Sequence, residues 1–212
     1  MALDIDDWTC RLAFADGWVD LTAGTGLDAD GKAAWARDVV QSFDSLDSVA
    51  SKESIGRNLI DLARAAEKNQ AVLAAAFFTT DGAHHAIFDV QIFGEDGVTL
   101  SLDEVEHRLC GHQEIAAEPQ VSRVDLPVGT AVRLRAIYQS KGLLGFGKKL
   151  SEAVSYALLV PHTSDILLAT MNWSALRHSD QFVAEVDTLM HTLQFVPLDA
   201  AGRPIAEGAP EV

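Results

Sequence analysis

Cysteine is nearly absent: the chain has two, Cys10 and Cys110, in 212 residues. Two thiols build no disulfide framework, and the expectation is free thiols in a reducing compartment. Cations are scarce as well, with 16 Lys and Arg against 31 Asp and Glu, a net charge of −15. A chain this acidic repels nucleic acid and anionic membrane surfaces, which removes both as partners. No apolar run approaches the ~20 residues that a helical membrane span needs. The stretch from Met1 to Trp8 is acidic and has no basic segment followed by an apolar run, so it does not read as a signal peptide. These absences together predict a cytoplasmic protein. Internal repeats, a dividing linker and a G-x-S-x-G nucleophile elbow are also missing.

What is present is apolar patterning. Hydrophobic residues make up 48% of the chain, enough for one sizeable core. The expectation is one domain over residues 1–198 and a loose tail over 199–212, where Gly202, Pro204, Gly208 and Pro210 leave little to bury. Trp8 to Phe14 alternates as a short strand, extended by Gly17 to Thr22. Asp28 or Asp30 is placed to cap a helix over Ala33–Leu46, with Trp35, Val39, Phe43 and Leu46 as its stripe. Ser51 caps a second helix running to Lys68, whose apolar face is Ile55, Leu59, Leu62, Ala63 and Ala66.

The pattern then switches to period two. Val72–Thr79 is almost wholly apolar and reads as a strand buried on both faces. Thr80, Asp81 and Gly82 make a turn into His84–Phe93, with Ala86, Phe88, Val90 and Ile92 on one side and His85, Ile87, Asp89 and Gln91 on the other. Ser101 and Glu104 have capping-box spacing ahead of a short helix over Leu102–Leu109, and Gly111 is placed for a left-handed stop. Gln120–Leu126 and Thr130–Gln139 are strands joined at Pro127 to Gly129. In the second, Val132, Leu134, Ala136 and Tyr138 face one way and Arg133 and Arg135 the other, where pairing with acidic residues of a neighbouring strand is expected.

The strongest segment is Lys149–Leu193. Leu150–Pro161 and Asp165–Ser174 form a long hairpin turned at His162, Thr163 and Ser164. An amphipathic helix follows, with Phe182, Val186, Leu189, Met190 and Leu193 in one stripe, and Gln194–Pro197 adds an edge strand. The sum is an α+β fold: a mostly antiparallel sheet of roughly six or seven strands, covered by helices.

The order of elements in the second half resembles a known family. It runs as two strands across the turn at Pro127 to Gly129, the long strand through Val154, Tyr156 and Val160, its partner Asp165–Trp173, and the helix Asp180–Leu193 ending in Gln194 and Phe195. Gly17 and Trp18 fit the same plan. This is similar to the PsbP-like α/β/α sandwich, shared with the Ran-binding nucleotide-release factors, in a form associated with high-GC bacterial proteins. The resemblance implies a non-catalytic protein-binding or assembly role. It brings no site residues, because no binding motif of the family matches residue by residue.

Three candidate chemistries stand in the sequence. Gly142, Gly147 and Lys148 match G-x-x-x-x-G-K, but Lys149 occupies the Ser/Thr position, and a strand rather than a helix is expected to follow. His107, Cys110 and His112 suit zinc or an activated thiol, and a small metal-dependent or thiol hydrolase centred there is the alternative function. The plainer reading is a helix end with a surface histidine and a small buried thiol. Asp103 and Glu106 share a helix face, as a carboxylate pair does, and as a solvated face does in an acidic chain. Leu143, Leu144 and Phe146 lie in a Gly-rich connection and form a candidate interaction patch. The expectation is therefore a binding or adaptor protein with a protein partner or a second copy of itself, and with no cofactor.

Overall fold

The computed structural model describes residues 7–43, 52–79, 85–94, 100–111, 115–141, 148–161, 163–199, 203 and 205. Among them are nine strands: β1 (Asp7–Arg11), β2 (Trp18–Asp20), β3 (Leu73–Phe78), β4 (His85–Phe93), β5 (Gln120–Leu126), β6 (Gly129–Lys141), β7 (Lys148–Leu159), β8 (Ile166–Trp173) and β9 (Gln194–Leu198). The helices are α1 (Ala29–Ser42), α2 (Lys52–Lys68), α3 (Leu102–Cys110) and α4 (Ser179–Met190). Seven strands form one sheet in the order β2-β3-β4-β8-β7-β6-β5, and every neighbouring pair is antiparallel. The fold is α+β, as the patterning implies.

Alternation along the central strands decides which face receives which helix. In β8, Leu167, Ala169, Met171 and Trp173 are buried, and they share a core with Phe88, Val90, Val154, Tyr156 and Leu158. The α4 stripe of Phe182, Val186, Leu189 and Met190 closes this face. Fully buried side chains of this size each contribute on the order of 2 kcal/mol. Among the described residues, helices cover the opposite face at its two ends. At one end α1 and α2 lie over Val19, Ala74, Ala76 and Phe78. At the other, α3 places Val105 over Val132 and Ala157.

The β7–β8 hairpin pairs Leu159 with Ile166, and Val160 N donates to Asp165 O at 2.9 Å across the turn. Its expected turn residue His162 lies outside the described residues, as do Thr80, Asp81, Gly82 and His84 of the earlier turn, Ser51, and Leu46.

Several elements depart from the sequence pattern. Helix α1 starts at Ala29, because Asp28 accepts from Gly31 N at 2.8 Å and so caps the helix there. Its most buried residues are Lys32, Ala36 and Val40, while Trp35, Val39 and Phe43 are only partly buried. The reason is that α1 packs on α2 through this face, where Lys32 meets Glu67 and Val40 lies against Gly56. Gly111 has φ −76°, not a left-handed conformation. Its N–H bonds Arg108 O, so the last turn tightens without a positive φ. Strand β9 pairs with β1 in a separate two-stranded ribbon and is not an edge of the main sheet. Of the expected loose tail, Arg203 and Ile205 are described, and they fold back: Asp199 N donates to Arg203 O and Ile205 N to Pro197 O, both at 2.9 Å.

Candidate functional site

Arg133 and Arg135 of β6 both turn toward α4, and both are consumed in holding it. Arg133 donates to Asp187 of α4 through Nε to Oδ1 at 3.0 Å and Nη2 to Oδ2 at 3.1 Å. The Tyr156 hydroxyl also donates to Asp187, and burial together with that bond pushes its pKa upward. Arg135 pairs with Glu152 on the neighbouring strand. Glu152, only 5% exposed, accepts from the Ser179 hydroxyl at the start of α4. Trp173 Nε1 in turn donates to Ser179 Oγ at 3.1 Å. These polar groups are satisfied inside the fold, so they fix α4 and leave no open site.

The opening lies on the other face, beside α3. A complete capping box starts this helix: Glu104 N donates to Ser101 Oγ at 3.3 Å and Ser101 N to Glu104 Oε2 at 2.7 Å. Leu102, Val105 and Leu109 then face the sheet at helical spacing. Arg123 of β5 reaches Asp103 at 2.7 Å and Glu106 at 2.8 Å, which pins one flank of α3 over β5 and β6. The paired carboxylates Asp103 and Glu106 thus serve as anchors for a guanidinium. On the other flank, toward β8 and β4, the helix leaves the sheet uncovered.

That gap is a groove of about 470 Å³. Ala157, Ile166 and Leu168 form its floor, Val105 and Leu109 its helical wall, and Arg108 is the one ionisable residue among its described lining residues. At the strand ends, Phe93 pairs with Ile166 and Ile166 with Leu159, so three apolar side chains stand in one cross-strand row. Two of them are open to solvent, Phe93 at 49% and Leu159 at 37% exposure. Further along the same face the row turns polar. Asp89 lies opposite Thr170 and Thr170 opposite Ser155, and the two hydroxyls are 3.0 Å apart. Gln91 Nε2 donates to Asp89 Oδ2 at 2.8 Å, yet burial raises the Asp89 pKa above the usual carboxylate range.

The sequence candidates fare differently. His107 is exposed on α3 and Cys110, one turn on, is half-buried. Burial, with the Glu106 charge adding to it, raises the Cys110 pKa, the opposite of what an activated thiol needs. His112 lies outside the described residues, among which no group of three His, Cys, Asp or Glu is placed to hold a metal ion. Lys148 and Lys149 open strand β7, so no helix N-terminus follows the G-x-x-x-x-G-K match; Gly142 to Gly147 lie outside the described residues. Leu143, Leu144 and Phe146 lie there too. Phe93, Ile166 and Leu168 of the groove, and Leu159 opposite Ile166, were not singled out by motif. Their signal is weak: three strands that stay apolar on both faces at the same end.

No protein-family model matches the chain, and no curated protein matches it. Among solved structures it is similar to LpqN of Mycobacterium tuberculosis, whose crystal structure is described as that of a protein involved in cell envelope biogenesis. The two are 11% identical with a TM-score of 0.49, over 92% of this chain and 87% of that one. No functional residue is carried across at this distance.

Proposed function

We propose that this chain is a non-catalytic binding or assembly protein that receives apolar side chains of a protein partner in the groove beside α3. The observation that carries this is the cross-strand row of Phe93, Ile166 and Leu159, exposed at its two ends, beside an apolar groove of about 470 Å³. Contiguous exposed apolar surface of this kind marks interaction sites. The order of elements supports a PsbP-like sandwich, and the mostly non-catalytic character of that fold agrees with the reading. The thiol-hydrolase alternative asks for a stabilised thiolate, and the surroundings of Cys110 oppose one.

The test is crosslinking and capture from the native host with three forms of the chain. Wild type is expected to retain a reproducible partner. Phe93→Ser with Leu159→Ser, at exposed positions that leave the core intact, is expected to lose it. Leu143→Ser with Phe146→Ser separates this groove from the Gly-rich connection as the contact. Unchanged capture by the Phe93 and Leu159 variant overturns the groove as the site, and no partner under mild conditions overturns the binding function.

A further inference from the structure

A second surface lies at the other end of the same sheet face, between α1 and α2. The two helices run antiparallel. Lys32 near the start of α1 pairs with Glu67 near the end of α2 at 3.2 Å, and Gly56 near the start of α2 comes close to Val40 near the end of α1. Where the helices diverge they leave a groove of about 490 Å³. Its floor is apolar: Ala33, Ala36, Val40, Gly56 and Ile60.

Its rim is what sets it apart. Among the described lining residues, Arg37 of α1 and Lys52 and Arg57 of α2 stand against one carboxylate, Glu53. All four are exposed. Among the described residues the three cations have no carboxylate within ion-pair distance, whereas Lys32, Arg64, Arg123, Arg133, Arg135 and Arg203 each do. In a chain of net charge −15 with 31 acidic residues, three such cations around one apolar trough are a local reversal of sign.

We infer that the α1–α2 groove docks an acidic amphipathic helix of a protein partner, with apolar anchors on the partly open Ala33, Gly56 and Ile60 and flanking carboxylates on Arg37, Lys52 and Arg57. The floor from Ala33 to Val40 spans roughly 10 Å, two helical turns, which fits two anchors at i and i+4. The three cations supply the complement for carboxylates beside those anchors and fix the register. Polyanions are the poorer occupants. A phosphate backbone has nothing to place on an apolar floor, and the overall negative charge repels both it and an anionic bilayer.

The experiment uses the full chain and a displayed library of helical peptides with randomised polar positions. Selection on wild type is expected to enrich peptides with two apolar residues at i, i+4 flanked by Asp or Glu. Measured by fluorescence anisotropy, their affinity is expected to fall at least about tenfold on Arg37→Glu with Arg57→Glu, and to weaken as salt rises. Arg64→Glu, at an exposed position of α2 outside the groove, is expected to leave affinity unchanged; circular dichroism confirms that both variants keep the fold. Enrichment without acidic bias, or equal binding to the double variant, overturns the inference. So does tighter binding of phosphatidylglycerol vesicles or single-stranded RNA than of any selected peptide. The Phe93 and Leu159 variant binds these peptides like wild type, so this surface and the α3 groove fail or stand separately.

Discussion

Arg133 grips Asp187 through two parallel hydrogen bonds, 3.0 and 3.1 Å long, and so ties β6, one strand in from the sheet's edge, to α4. Arg133 is largely buried, whereas Asp187 keeps contact with water. Arg133→Ala strands the carboxylate beside the Tyr156 hydroxyl and is expected to cost about 1–2 kcal/mol after allowing for solvent screening at Asp187. Tyr156→Phe removes one hydrogen bond and is expected to cost about 1 kcal/mol. Urea unfolding of the two single variants and the double variant checks this, with a coupling of at least about 0.5 kcal/mol expected for groups in one network.

Stability is expected to fall at alkaline pH. Burial pushes the Cys10 thiol up to about 11 from an ordinary value of 9.0, and Tyr156 is also raised. For both groups the folded state holds its proton at a pH where the unfolded chain has lost it. Their contribution is therefore complete below the unfolded pKa and disappears as pH rises through the folded one. For Cys10 that window runs from about pH 9 to about 11. Thermal melts across this range are expected to show a decline that is shallower in Cys10→Ala, whatever that variant loses at neutral pH.

Asp89 follows the same rule in acid. Its carboxyl is raised by burial, so folding favours its protonated form and stability drops as pH climbs from the acid range through its folded pKa. Asp89→Asn keeps an acceptor for Gln91 and is expected to be more stable than wild type at neutral pH, with no gain at strongly acid pH. Equal stability of the two proteins at pH 7 would refute the assignment.

Lys32 is a cation at 5% exposure held by Leu27 O and Glu67. Removing only the carboxylate leaves that ammonium undercompensated, whereas replacing the lysine itself by an apolar residue does not. Glu67→Ala is expected to cost about 1 kcal/mol, and Lys32→Met with Glu67→Ala less than that. Chemical denaturation of the two variants decides the order.

Gly24 sits under Trp35. A methyl group there lies 2.8 Å from Trp35 Cζ3 and 3.1 Å from Ala63 Cβ, so one ring or helix must shift. Gly24→Ala is expected to cost about 1–3 kcal/mol, and Trp35→Phe in the same chain to relieve part of it. A melt showing no loss in the single variant would mean that α1 yields freely.

Much of the fold follows from local chemistry. Period-two runs such as Ile166 to Trp173 have one low-energy use, a strand with one face on a core, and Ser101 with Glu104 starts α3 wherever that helix lies. Arg133 and Arg135 were legible as two cations on one strand face. A carboxylate on a neighbouring strand was the expected partner, as Glu152 is for Arg135; that Arg133 instead reaches Asp187 on a helix was not legible, because that partner lies far along the chain.

The candidate surfaces are less legible for the same reason. Phe93, Leu159 and Ile166 come from three strands and become a row only when β4, β8 and β7 pair in register. Arg37 and Arg57 flank one groove only because α1 and α2 pack antiparallel. Local reading pointed instead to Leu143, Leu144 and Phe146 as a patch and, as the alternative, to His107, Cys110 and His112, where the surroundings of Cys110 oppose an activated thiol. Side-chain periodicity within a segment is set by backbone geometry and needs no distant partner, so the sequence by itself determined the antiparallel α+β class and the long β7–β8 hairpin with its closing helix. Strand order, helix placement and the register that aligns side chains from separate segments depend on packing between them, and only the tertiary structure decided where the sheet is left uncovered.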